Sequence, residues 1–133
     1  MTASATDPVA VVNGVYDAFA RGDIAAFFGQ LAPDMVWNEA KGHPYGGVYT
    51  SVDQIVQNVL TPLGTQWDNF TAVNDSLVAQ GDTVVSIGVY RGTFKATGKQ
   101  VEAPYATIWK VRDGKVKSLH QHTDTALFWN AMR

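Results

Sequence analysis

Cysteine is missing altogether from this 133-residue chain. Its absence removes a disulfide framework, a thiolate nucleophile and any Cys-ligated zinc or iron–sulfur centre, leaving His, Asp, Glu, Tyr and Ser to carry the chemistry. Also missing is any run approaching the roughly 18 consecutive apolar residues of a membrane span. The opening MTASATDPVA lacks the basic stretch and apolar run of an export signal. The expectation is a soluble, unexported, cytoplasmic protein. Charge of either sign is scarce and scattered: 17% of residues are charged, the ten Lys and Arg form no cluster, and the formal net charge is -2. Nucleic acid and anionic membrane are therefore excluded as partners, and a small, apolar or aromatic ligand is expected instead.

What is present is 46% hydrophobic content, in a length that supports one compact domain over residues 1–133. Thr6-Asp7-Pro8 supplies cap chemistry and an early proline, and Val12, Val15, Tyr16 and Phe19 recur at helical spacing until Arg21-Gly22. Asp23 can cap a second helix over IAAFFGQLA, ended by Pro33, after which MVWNE reads as extended and runs into the loop KGHPYGG. Ser51, with Gln54 three residues on, makes a capping-box pattern ahead of Ile55, Val56, Val59 and Leu60, so a third helix is predicted up to Pro62 and Gly64.

From Phe70 the hydrophobic period changes to two, giving strands over about 70–79, 83–94, 100–112 and 115–124 with the turn signals GD, TGK and DG between them. TALFWNAMR is helix-compatible again, with Asp124 or Thr123 as candidate caps. The predicted class is α+β, three N-terminal helices packed on a curved, mostly antiparallel sheet. Val85, Ile87 and Val89 alternate against Ser86, Gly88 and Tyr90, and three helices cannot cover both faces of such a sheet. A homodimer through the uncovered face is the expectation.

The phrases VYDAFARGDIAAF, LAPDMVWNEA, GDTVVSIGVYRGTFKATGK and WKVRDGKVKSLHQHTDTAL follow in this order over nearly the full chain. Together they resemble the nuclear transport factor 2-like superfamily, in particular its SnoaL-like, polyketide-cyclase-like branch. The resemblance implies a cone whose mouth opens on an apolar pocket with a few polar groups at its depth. It implies no single activity, because the superfamily holds isomerases, aldol cyclases, dehydratases, epoxide hydrolases and members that only bind.

HQHTDTALFW, residues 120–129, holds two of the three histidines in the chain. A two-residue period puts Val116, Ser118, His120, His122 and Asp124 on one strand face and Lys117, Leu119, Gln121 and Thr123 on the other. Neighbours at i and i+2 lie ~6.7 Å apart at Cα, within reach of a direct or water-bridged hydrogen bond. A histidine kept basic by a carboxylate is a proton shuttle. The competing reading makes Asp124 the cap of the last helix and the histidines half-exposed strand residues. With Glu39 or Asp124 the two histidines also have the composition of a two-His-one-carboxylate metal set. The resembled family is mostly metal-free, so neither metal nor cofactor is expected.

In DMVWNEAKGHPYGG, alternation places Met35, Trp37 and Glu39 on one face of a strand, opposite Val36 and Asn38. The ketosteroid isomerases of the superfamily carry an acidic general base just after this strand, three residues before a glycine, and the resemblance maps that role onto Glu39. Desolvation beside Trp37 would raise its pKa to suit a base working near neutrality; the alternative is a surface carboxylate paired with Lys41. A strict ketosteroid isomerase is disfavoured. Tyr16 stands one residue short of that enzyme's helix-1 tyrosine, a rotation of about 100°, and Thr107 or Ala106 replaces its protonated aspartic acid. The Asp-Arg-Asp set of the epoxide hydrolases has no candidate arginine except Arg91.

These readings converge on a cofactor-free acid–base enzyme of isomerase, aldol-cyclase or dehydratase type, acting on a small apolar carbonyl compound through Glu39, His122, Asp124 and His120. Tyr16, Trp37, Tyr45, Tyr105, Trp109 and Phe128 are the candidate walls for a flat ligand. The alternative is a non-catalytic ligand-binding or dimeric scaffold domain of the same fold.

Overall fold

The computed structural model describes residues 7–133. Asp7 caps α1 (Pro8–Arg21), its carboxylate accepting from the amides of Val9 and Ala10 at 2.9 and 3.4 Å; Thr6, the other candidate cap, lies outside the described residues. Gly22 ends the helix in the left-handed region, at φ 67°, where its amide reaches the carbonyls of Ala18 and Phe19. Asp23 caps α2 (Ile24–Gly29) through the Ala26 amide at 3.0 Å. This helix is shorter than expected, because β1 (Leu31–Glu39) begins before Pro33. The proline is tolerated there because the pairing of β1 is irregular between Leu31 and Val36, so no ladder bond needs its missing N–H.

After β2 (Gly47–Tyr49), Ser51 Oγ accepts from the Gln54 amide at 3.2 Å, while the Gln54 side chain accepts from Thr50 at 2.8 Å rather than from Ser51 itself. The helix so started runs as α3 (Val52–Ile55), a π-helical turn over Val56–Leu60, and α4 (Thr61–Gln66). Pro62 and Gly64 do not stop it. Pro62 falls in the first turn of α4, a position where a missing N–H costs little beside a π-helical turn. Four α-helices, not three, therefore precede the long strands among the described residues.

The strands β3 (Trp67–Gln80), β4 (Thr83–Phe94), β5 (Gln100–Arg112) and β6 (Lys115–Thr123) match the expected meander, and α5 (Thr125–Met132) follows. The six-stranded sheet has the order β2-β1-β6-β5-β4-β3. Every pair is antiparallel except β1 with β6, which places the end of the N-terminal strand beside the last strand. α1 packs across β3, β4 and β5, burying Val11, Val12, Val15 and Ala18 against the inner face. Val73, Val78 and Ile87 stay exposed on the opposite face, as the alternation of β4 requires. No helix among the described residues is long and apolar enough to cross a membrane.

Candidate active site

The alternation of β1 buries Met35, Trp37 and Glu39 together. Two residues apart on one face, the Trp37 indole N–H donates to Glu39 Oε1 at 2.9 Å. Beyond the strand the chain turns tightly: the His43 amide donates to the Ala40 carbonyl at 3.0 Å, and the Gly46 amide to the His43 carbonyl at 2.9 Å. A Cβ on Gly46 would stand 2.6 Å from the Ala40 carbonyl oxygen, so only glycine lets the loop close this far. Closure folds His43 inward, where its ring lies 4.4 Å from that of Phe128 and Nδ1 is 3.8 Å from Glu39 Oε2.

A second set of polar groups is aligned by strand register. Gln121 of β6 faces Thr107 of β5, which faces Ser86 of β4. Gln121 accepts from the Ala40 amide at 3.0 Å and donates to the Tyr90 hydroxyl at 2.9 Å. Ser86 Oγ accepts from the Trp109 indole at 2.8 Å and shares a 2.8 Å bond with the Tyr16 hydroxyl. Glu39, His43, Ser86, Thr107 and Gln121 are the buried polar side chains among the described residues, so nearly all the buried polarity lies in one band across an apolar interior.

That band, Ser86 excepted, borders a cavity of about 620 Å³ counted out to its open mouth. Its walls include Phe19, Phe27, Trp37, Phe70, Trp109 and Phe128. A cavity this aromatic suits a small flat molecule.

Burial pushes the Glu39 carboxyl up to about 7, with the Trp37 N–H and the Gln121 side chain holding it from rising further. The His43 imidazole is pushed down to about 4 by burial. Its Nδ1 accepts from the Tyr45 amide at 3.0 Å, so the neutral ring carries its proton on Nε2, and protonating Nδ1 would sacrifice that bond. The close approach to Glu39 is therefore not an ion pair at neutral pH. Tyr16 is raised by burial, against the opposing effect of its hydrogen bond to Ser86, and remains a hydroxyl donor.

Of the sequence candidates, Glu39, Tyr16, Trp37, Trp109 and Phe128 border the cavity. Tyr16 reaches it despite its spacing from Gly22, because its hydroxyl is held over Ser86. Thr107 is also inside, whereas Ala106 faces the other side of the sheet. Tyr45 and Tyr105 are not among the residues that border the cavity: Tyr45 is bonded to Gln66 and to the Trp67 indole, and Tyr105 to Asn74. Arg91 pairs with Glu102 at the surface, 3.3 Å away.

His120, His122 and Asp124 are exposed, and the expectation that they face the cavity is corrected. The reason is a bulge. Lys110 pairs with Ser118 but Val111 with Val116, which leaves Lys117 without a partner and reverses the phase of β6 between buried Val116 and buried Leu119. Leu119 and Gln121 consequently point inward, and the two histidines stack on the outer face with ring centroids 4.4 Å apart. Glu39 is on the other side of the sheet, so the metal set that would join it to these histidines is not assembled. Among the described residues no three His, Asp or Glu side chains are grouped to hold a metal ion. Asp124 occupies the N-cap position of α5 but its side chain makes no capping bond, and Thr123 bonds to the Pro104 carbonyl instead. The residues that the pattern missed are His43, in a loop without periodicity, and Gln121, which that pattern put on the opposite face.

Helices packed on a curved six-stranded sheet over an apolar cavity are the architecture of the nuclear transport factor 2-like class of fold. Within it the chain belongs to the SnoaL-like domain family, whose model matches residues 12–119. The chain is similar to an NTF2-like protein of Burkholderia thailandensis E264, with 42% identity and a TM-score of 0.90 over 95% of this chain and 97% of that one. IdmH, a candidate polyketide cyclase of Streptomyces antibioticus, shares the fold at 24% identity and a TM-score of 0.76, over 94% of this chain and 97% of that one. The uncharacterised protein Rv0034 of Mycobacterium tuberculosis (strain ATCC 25618 / H37Rv) is 28% identical over 123 residues, 90% of this chain and 93% of that protein.

Proposed function

We propose that the protein is a cofactor-free acid–base enzyme of the isomerase, aldol-cyclase or dehydratase type, acting on a small apolar carbonyl compound with Glu39 as general base. The observation that carries this reading is a fully buried carboxyl, bordering an apolar cavity, whose ionisation is brought to about 7 by its surroundings. Ionised Glu39 takes a proton from the carbon next to the ligand carbonyl, and the electron pair of that C–H bond moves onto the carbonyl oxygen as an enolate. The Tyr16 hydroxyl, kept protonated by burial, is the donor available to that oxygen. The Glu39 carboxylic acid then returns the proton, to the same carbon or to another; in ring closure the enolate carbon instead attacks a second carbonyl, whose π electrons move onto its oxygen, and the alkoxide so formed takes the proton from Glu39. Neutral His43 keeps the neighbourhood of Glu39 free of a compensating cation, which preserves the basicity of the carboxylate.

The functional unit in this reading is a homodimer, joined through the outer sheet face that carries Val73, Val78 and Ile87.

The test is exchange of α-protons of a small cyclic ketone for deuterium, followed by NMR with wild type and with Glu39→Gln. Glu39→Gln is expected to fold and to lose ~10² to 10⁴ in exchange rate, the usual contribution of a general base. Equal rates for two folded proteins would sink the enzyme reading and leave the ligand-binding alternative standing.

A further inference from the structure

Among the buried side-chain atoms of the described residues, Thr107 Oγ1 alone has no hydrogen-bond partner. The residue is 2% exposed and borders the cavity. Buried polar groups are nearly always paired, since leaving one unpaired costs its full desolvation. Both of its strand neighbours are engaged elsewhere. Ser86, its neighbour on β4, is engaged by Trp109 and Tyr16, and Gln121, its neighbour on β6, by Ala40 and Tyr90. The Tyr16 hydroxyl stands close enough for Thr107 to favour its ionised form, yet no bond of acceptable geometry joins the two. Valine has the same shape without the hydroxyl, so packing alone does not call for threonine here.

We propose that Thr107 is the residue that reads the ligand: its hydroxyl binds an oxygen on the edge of a flat, apolar molecule lodged between the aromatic walls. The proposal rests on the cavity being the ligand site, as in the function above, and adds the ligand class, a small fused-ring or aryl compound with a carbonyl or hydroxyl oxygen directed at the middle of the polar band. The hydrocarbon walls supply affinity without discrimination, because an aromatic face accepts any flat surface. A single polar group at the floor supplies the discrimination, since a site built to bond an oxygen pays a penalty with a ligand that lacks it. The oxygen would lie between Glu39, reached from Thr107 through Gln121, and Tyr16, held over Ser86.

The experiment compares 1-indanone with indane, two probes of the same shape, in NMR titrations that follow the indole N–H signals of Trp37 and Trp109. Wild type is expected to bind the ketone about tenfold more tightly, the scale of one hydrogen bond. Thr107→Val should lose most of that preference, keeping only what Tyr16 supplies, while melting no lower than wild type, and Thr107→Ser should restore it in full. An undiminished preference in Thr107→Val would overturn the proposal, as would the absence of any preference in wild type. So would a drop of several degrees in the melting temperature of Thr107→Val, which would show a hydroxyl already satisfied within the fold. Glu39→Gln should keep the preference for the ketone even though it slows deuterium exchange by ~10² to 10⁴. Failure of exchange with the preference intact rejects the enzyme reading alone, and the reverse rejects only the role of Thr107.

Discussion

The Trp37 indole N–H points at Glu39 Oε1 across 2.9 Å, from two residues earlier on the same strand face. Trp37 thus does two opposing things to the carboxyl. Its ring helps to exclude water, which raises the pKa, and its N–H favours the charged form, which lowers it, with burial the larger effect. Trp37→Phe keeps much of the ring and removes the N–H. The Glu39 pKa should then move above about 7, shifting the acid limb of the exchange-rate profile to higher pH. A pH–rate series on both proteins checks this; an unmoved limb would mean that the indole does not touch the working base. Stability should fall by roughly 1–3 kcal/mol through the lost bond and the space left behind.

Glu39 and His43 should nearly cancel in the dependence of stability on pH. Glu39, raised from 4.5 to about 7 on folding, contributes stability that is present below 4.5 and is lost as the pH rises to about 7. His43, lowered from 6.5 to about 4, contributes stability that is present above 6.5 and is lost as the pH falls to about 4. Between about pH 4.5 and 6.5 the slopes oppose, each at most about 1.4 kcal/mol per pH unit. Urea denaturation across this window should be nearly flat for wild type, rise with pH in Glu39→Gln, and fall with pH in His43→Asn. Parallel curves for all three proteins would show that neither group is shifted by folding.

Replacing both His120 and His122 by Ala should leave ketone binding and deuterium exchange at the parent level, because both side chains are on the face away from the cavity. A hundredfold loss of exchange in the folded double variant would return these histidines to the mechanism.

Ile87, 39% exposed on the outer face, is where a charge should break the proposed homodimer. Light scattering at micromolar concentration should give twice the chain mass for wild type and the single chain mass for Ile87→Glu, with the fold retained by circular dichroism. A monomeric wild type would reject assembly through this face.

Much of the fold was legible because it is written in short-range pattern. Asp7, Asp23 and Ser51 start helices as their side chains predict, and the strands β4 and β5 fall where the period of two placed them. The alternation through Trp37 and Glu39 likewise set the inner face of β1 without any knowledge of its neighbours. Helix ends were less legible: Pro62 is a stop signal in isolation, but here a π-helical turn absorbs it. The same holds for Pro33, which an irregular pairing accommodates within a strand.

The site divides along the same line. By itself the sequence determined that Glu39 and Trp37 share a face, since residues two apart on an extended chain always do. It also determined that Val85, Ile87 and Val89 turn away from Ser86 and Tyr90, for the same reason. Only the tertiary structure decided which face of β6 looks inward, because one unpaired residue at Lys117, set by the register with β5, reverses every side chain after it. Only the closed loop brought His43 to Glu39, and only strand pairing aligned Gln121, Thr107 and Ser86, positions that lie far apart along the chain. The pKa of Glu39 belongs to this second kind, for desolvation depends on everything that covers the carboxyl and not on the residues beside it in sequence.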